Sequence, residues 1–147
     1  MKIYTIGFTG KNAETFFGLL KEHGVRTLVD IRLNNRSQLA GFTKAADLPY
    51  FLRAIGNIGY VYLPELAPDA TLLKDYLEKN IDWDTYQIRF AALLKARKVN
   101  KLLRQKWSEW EQPICLLCSE PTPEQCHRRL VAERIAKLIK GTQVVHL

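Results

Sequence analysis

Apolar residues along this chain fall into two patterns, short β-branched runs and segments where they recur every three or four positions. These are the periodicities of buried strands and amphipathic helices. Lys2 to Ile6 reads as a strand stopped by Gly7 and Gly10, and Asn12 caps a helix that turns Ala13, Phe16, Phe17 and Leu20 inward before Gly24 ends it. Thr27 to Ile31 is apolar and β-branched, and it delivers Asp30 and Arg32 to its far end. A polar loop follows from Leu33 to Lys44. Asp47 and Pro49 open a helix with Tyr50, Phe51, Leu52 and Ile55 as its apolar set, Gly56 offers a stop, and Tyr60 to Leu63 is a third strand. Beyond Pro64 and Pro68, Thr71 to Lys79 and Asp84 to Glu109 both read as helices, the second long and basic. Ile114 to Cys118 is the most apolar strand. Pro123 to Lys140 follows as a helix burying Leu130, Val131, Ile135, Leu138 and Ile139, and Thr142 to Leu147 as a last strand.

Strands alternating with helices predict one α/β domain spanning 1–147, a three-layer α/β/α arrangement around a mostly parallel sheet of about five strands. There is no internal repeat and no low-complexity linker. In such folds ligands bind beyond the carboxyl ends of the strands. Four loops are therefore expected to gather at one edge: Gly7 to Gly10, Asp30 to Arg36, Pro64 to Pro68, and Cys118 to Arg128.

Composition narrows the function classes. Three cysteines in 147 residues do not make a disulfide framework, so reduced thiols and a cytoplasmic location are expected. No run reaches the roughly 18 apolar residues of a membrane span, and Met1 to Ile6 leads straight into a strand pattern rather than a signal peptide. The formal charge of +7 favours anionic partners, a phosphorylated small molecule or a nucleic acid. Along the 84–109 helix and at its ends, Arg89, Lys95, Arg97, Lys98, Lys101, Arg104 and Lys106 are interleaved with Trp83, Tyr86, Phe90, Trp107 and Trp110. That pattern fits a non-catalytic nucleic-acid-binding module, and more simply a helix whose aromatics face the core.

The densest chemistry lies in Cys118-Ser119-Glu120-Pro121-Thr122-Pro123-Glu124-Gln125-Cys126-His127-Arg128-Arg129. Thr122 as N-cap, Pro123 at the first helical position and Gln125 read as a capping box. Cys126, His127 and Arg128 then fall within the first two turns, where the helix dipole favours an anion or a thiolate. Cys118 or Cys126 is the candidate nucleophile and Glu120 or His127 the general acid or base. Asp30 is the expected orienting group, and Arg32, Arg36 and Arg128 the expected anion clamp, with Ser37 and the Gly7 to Gly10 turn, Thr9 included, on the substrate side. Each has a plainer role open to it: Cys126 as a packing residue, Arg128 as a partner of Glu124, Asp30 and Arg32 as a strand-end ion pair. A zinc set of Cys115, Cys118, Cys126 and His127 fails because strand positions three apart point to opposite faces, so neither metal nor cofactor is expected.

Five segments carry a family resemblance: Tyr4-Thr5-Ile6-Gly7, Leu28-Val29-Asp30-Ile31-Arg32, Asn34-Asn35-Arg36-Ser37 through Phe42, Tyr62-Leu63-Pro64-Glu65-Leu66, and Leu117-Cys118-Ser119-Glu120 through Cys126-His127-Arg128. Together they resemble the bacterial and archaeal domain-of-unknown-function 488 family over essentially the whole chain. The resemblance implies an α/β fold and a polar pocket of Asp30, Arg32, Ser37, Cys118, Glu120, Cys126, His127 and Arg128, but no reaction. Relatives carry proline after Asp-x-Arg and glycine after Pro-x-Leu, where this chain has Asn34-Asn35 and Ala67-Pro68. The Val-Asp-Ile-Arg strand end is also similar to that of rhodanese domains, without their compact cysteine-to-arginine anion loop. The leading expectation is an enzyme acting on a phosphate-bearing substrate, nucleotide or nucleic acid, through a Cys/Glu/His/Arg pocket.

Overall fold

The computed structural model describes residues 1–36 and 41–147, so Ser37 lies outside the described residues. Strands β1 (Lys2–Gly7), β2 (Thr27–Asp30), β3 (Gly59–Tyr62), β4 (Ile114–Cys118) and β5 (Gln143–His146) form one sheet in the order β3-β2-β4-β1-β5. Every pairing is parallel. The two most apolar runs become the inner strands β2 and β4, buried at every position, while β3 and β5 lie at the edges with exposed ends.

Side-chain alternation splits the sheet between two cores. Tyr4, Ile6, Leu28, Cys115 and Leu117 meet Phe16, Phe17 and Leu20 of α1 (Ala13–Glu22) and Leu48 and Leu52 of α2 (Leu48–Gly56). Ile3, Val29, Ile31, Ile114 and Leu116 face the other way, into a core shared with α3 (Ala70–Leu77), α4 (Trp83–Ala96), α5 (Val99–Trp107) and α6 (His127–Leu138). The chain leaving β2 thus crosses to the α2 face, while the chain leaving its neighbour β4 crosses to the α6 face. Diverging connections at adjacent strands open a crevice at their carboxyl ends. The register places Asp30 opposite Leu117, and Gly7 opposite Cys118, at that end.

Several helix starts follow the expected capping chemistry. The Asn12 side chain accepts from the Thr15 amide, and Asp69 and Asp82 do the same for α3 and α4. Two expectations need correction. The single long helix over 84–109 is two helices, α4 and α5, parted at Lys98, which takes a left-handed φ of 56°. The break lets Phe90 and Leu94 on one side and Val99 and Leu103 on the other all reach the same core. Tyr86, Phe90 and Trp110 are buried there, Arg89 pairs with Asp75, and Arg97 donates to the carbonyls of Glu65 and Ala67. Lys95, Lys98, Lys101 and Arg104 remain exposed. The second correction concerns α6, which begins at His127 rather than Pro123. Residues 123–126 instead make a separate turn closed by the Cys126 amide on the Pro123 carbonyl, and Cys126 itself becomes the N-cap.

Left-handed backbone costs a residue with a Cβ about 1–2 kcal/mol, part of which glycine returns as chain entropy. Lys98→Gly is therefore expected to raise stability by about 0.5–1 kcal/mol. A urea unfolding midpoint that rises at constant m-value checks this; a fall would mean the Lys98 side chain holds the α4–α5 junction.

Candidate active site

Cys118 is the last residue of β4, and alternation from Ile114 and Leu116 turns it toward the α6 side, away from Cys115. Its Sγ lies 3.4 Å from His127 Nδ1 and 3.8 Å from Nε2. His127 Nε2 lies 2.7 Å from the Ile31 carbonyl oxygen just beyond β2. A carbonyl only accepts, so Nε2 carries a proton and Nδ1, the nitrogen nearer the sulfur, is left as the basic one. The Phe90 ring packs edge-on against the imidazole at 5.8 Å, so the main chain and α4 together fix its orientation. Cys126 completes the group: the sulfurs of Cys118 and Cys126 and a nitrogen of His127 lie within 4.8 Å of one another.

The two sulfurs are electrostatically unlike. Burial pushes Cys118 up, but the Cys126 thiol beside it, the amides of Ser119 and Glu120 and the charge of Arg128 outweigh that, leaving it below the ordinary thiol value of 9.0. Cys126 moves the other way, raised by its hydrogen bond to the Cys118 sulfur and then by burial. Burial also holds Cys115 protonated in the opposite core. All three are free cysteines.

Arg128 is fully buried. Its Nε donates to Thr5 Oγ1 at 3.2 Å and its Nη1 to the Glu120 carbonyl, while Nη2 has no partner among the described residues. No ion pair joins it to a carboxylate among those residues, the expected alternative partner Glu124 included. Gly7 makes this seat possible. A Cβ there would overlap the Glu120 carbonyl and come within 2.5 Å of Arg128 Nη1.

Asp30 and Arg32 form a closed pair rather than an orienter and a clamp. Arg32 Nε and Nη2 each lie 2.9 Å from a different Asp30 oxygen, with Asp30 0% and Arg32 3% exposed. Arg32 also donates to the Thr43 carbonyl and lies over the Phe8 ring, and the Tyr60 hydroxyl donates to Asp30 Oδ2 at 2.6 Å. Burial, and then that bond to Asp30, raise the Tyr60 phenol well above its usual range.

A cavity of about 140 Å³ opens onto Cys118, Cys126 and His127, and Arg32, Glu120, Tyr76 and Tyr86 also line it. Tyr76 fixes the loop over it by a hydrogen bond to Gln125 Oε1 at 2.8 Å. Five expected residues thus converge on one space, Cys118, Glu120, Cys126, His127 and Arg32, with Asp30 directly behind. Arg128 and Gly7 form the wall rather than the surface. Thr9 contributes a structural amide bond to the Ser119 carbonyl rather than a free donor, and Arg36 is exposed, its amide bonded to the Asn34 side chain. Thr5, Tyr60, Tyr76 and the Ile31 carbonyl were not anticipated. Only Thr5 carries a signal, as a hydroxyl at an inward position of a buried strand.

A family model described as a domain of unknown function, DUF488, matches residues 12–135. No curated protein and no solved structure matches the chain.

Removing one partner of a buried ion pair leaves a bare charge and costs about 3–5 kcal/mol, whereas an exposed pair is worth about 0–1 kcal/mol. Asp30→Asn is expected to lower unfolding stability by about 3 kcal/mol or more, and Asp75→Asn, which strands the half-exposed Arg89, by under about 1 kcal/mol. Equal losses in urea unfolding would contradict the assignment of Asp30–Arg32 as a buried pair.

Proposed function

We propose that this chain, which belongs to the domain of unknown function DUF488 family, is an enzyme using Cys118 as nucleophile and His127 as its proton acceptor. The observation that carries this reading is the 3.4 Å approach of Cys118 Sγ to a His127 nitrogen whose ring partner is already committed to a main-chain carbonyl. The thiol proton passes to Nδ1 and sulfur attacks an electrophilic centre of the substrate. The imidazolium then returns that proton to the leaving group. Water releases the covalent thio-intermediate, with the Glu120 carboxylate at the cavity wall as the acceptor of its proton.

The cavity suits a compact reacting group, with the remainder of the substrate outside. An anionic substrate, phosphate-bearing in the reading from net charge, is supported by the charge of Arg128 behind the cavity, which acts on Cys118 without itself being exposed. It is not supported by Arg32, which Asp30 already neutralises. A nucleic-acid-binding module on α4 and α5 has less behind it, because Tyr86, Phe90 and Trp110 are committed to the core. Three free, buried thiols fit a reducing compartment, which we propose is the cytoplasm.

Iodoacetamide at neutral pH is expected to alkylate Cys118 at least about tenfold faster than Cys115 or Cys126, with peptide mapping to assign the sites. Because the folded-state pKa of Cys118 is depressed, its rate should level off before pH 9.0 and decline as pH falls through that folded value. His127→Ala should remove most of the selectivity. Equal, slow labelling of all three cysteines would overturn the nucleophile assignment.

A further inference from the structure

We propose that Cys118, Cys126 and His127 form a zinc site with three protein ligands and an open fourth position facing the cavity. The argument excluding a metal from the chain pattern rested on Cys115, and Cys115 does lie on the far side of the sheet. The other three come together without it. Their ligand atoms lie within 4.8 Å of one another, and the Cys118 Sγ to His127 Nδ1 distance is 3.4 Å. Around a tetrahedral zinc with Zn–S about 2.3 Å and Zn–N about 2.0–2.1 Å, sulfur and nitrogen ligands stand roughly 3.5 Å apart, so this edge has the required length, and the 3.8 Å approach of the same sulfur to Nε2 means the imidazole turns to aim Nδ1 at the ion.

Two further features point to a metal rather than to a cysteine–histidine contact alone. The imidazole carries the outer-shell bond that zinc-binding histidines use: Nε2 donates to the Ile31 carbonyl at 2.7 Å, which leaves Nδ1 as the ligand atom. Cys126 is an N-cap residue whose side chain makes no capping hydrogen bond, so its sulfur can rotate onto an ion without unmaking the start of α6. The cavity of about 140 Å³ supplies both the entry path and room for the fourth ligand. Charge selects that ligand. Zinc with two thiolates and a neutral imidazole is neutral, and an anion in the open position would place one negative charge beside the buried Arg128.

This goes beyond the nucleophile reading and does not depend on it, although zinc bound here masks the Cys118 thiolate. The test uses the whole protein, stripped with a chelator and titrated with zinc against a chromophoric competitor, and with cobalt(II) as an optical probe. Expected are one zinc per chain and a tetrahedral, thiolate-ligated cobalt spectrum. Cys126→Ala and His127→Asn should each weaken zinc binding by about 100-fold or more, and Cys115→Ala by less than about threefold. Circular dichroism of each variant separates loss of the site from loss of the fold. No stoichiometric zinc binding, or equal weakening by Cys115→Ala, would overturn the proposal. The metal-free protein separates the two ideas: selective Cys118 alkylation without zinc binding sinks only the metal site, and zinc binding without selective alkylation sinks only the nucleophile.

Discussion

A guanidinium held out of water without a carboxylate beside it costs several kcal/mol unless its donors are met and its charge is balanced. Arg128 is in that position, fully buried at the first turn of α6, and much of the surrounding geometry answers to it. Thr5 places a buried hydroxyl in β1 that accepts from Arg128 Nε and lies 2.6 Å from His146 Nδ1. Gly7 has no Cβ because the Glu120 carbonyl and Nη1 occupy that space. The loop after β4 is drawn down onto β1, where Thr9 binds the Ser119 carbonyl and Arg128 binds that of Glu120. The same charge lowers Cys118 and acts on its neighbours Lys11 and His146. Cys118 differs from the other two buried cysteines first because the Cys126 thiol and the amides of Ser119 and Glu120 bond its sulfur, and the charge of Arg128 adds to them.

The buried pair of Asp30 and Arg32 does comparable work at the other wall of the crevice. It closes on itself, so it contributes position rather than free charge. The exit of β2 is tied to Thr43, the Tyr60 hydroxyl is held as a donor, and the Ile31 carbonyl is presented to His127. His127 is therefore oriented from β2 while it acts on a residue of β4. That arrangement depends on the two strands being neighbours with diverging connections.

How much of this was readable from the chain depended on sequence distance. The uninterrupted apolar runs at 27–31 and 114–118 announced two buried parallel strands, and strand alternation alone sends Cys115 and Cys118 to opposite faces. Asp30 and Arg32, two residues apart, could be paired by inspection. Local propensity misled where tertiary demands won. Thr122, Pro123 and Gln125 spell a helix start, but burying Arg128 under Glu120 delays α6 to His127. The unbroken pattern over 84–109 hides a turn at Lys98 that only the shared core requires. That Cys118, Cys126 and His127 share one pocket was expected from the chain, but their distances were not legible, since they depend on how an eight-residue loop closes over the strand end and on the Ile31 carbonyl from another strand.

Thiol chemistry and metal binding are then two uses of one set of atoms, and both require the Cys118 sulfur to ionise more readily than an ordinary thiol in the folded protein. The most direct measurement is the ultraviolet thiolate absorbance of the metal-free native protein as a function of pH, compared with Cys118→Ser. The account predicts one thiolate per chain appearing below pH 9.0 in the wild type and missing from the variant. Ionisation of all three thiols at or above pH 9.0, or an early step that survives Cys118→Ser, would contradict it.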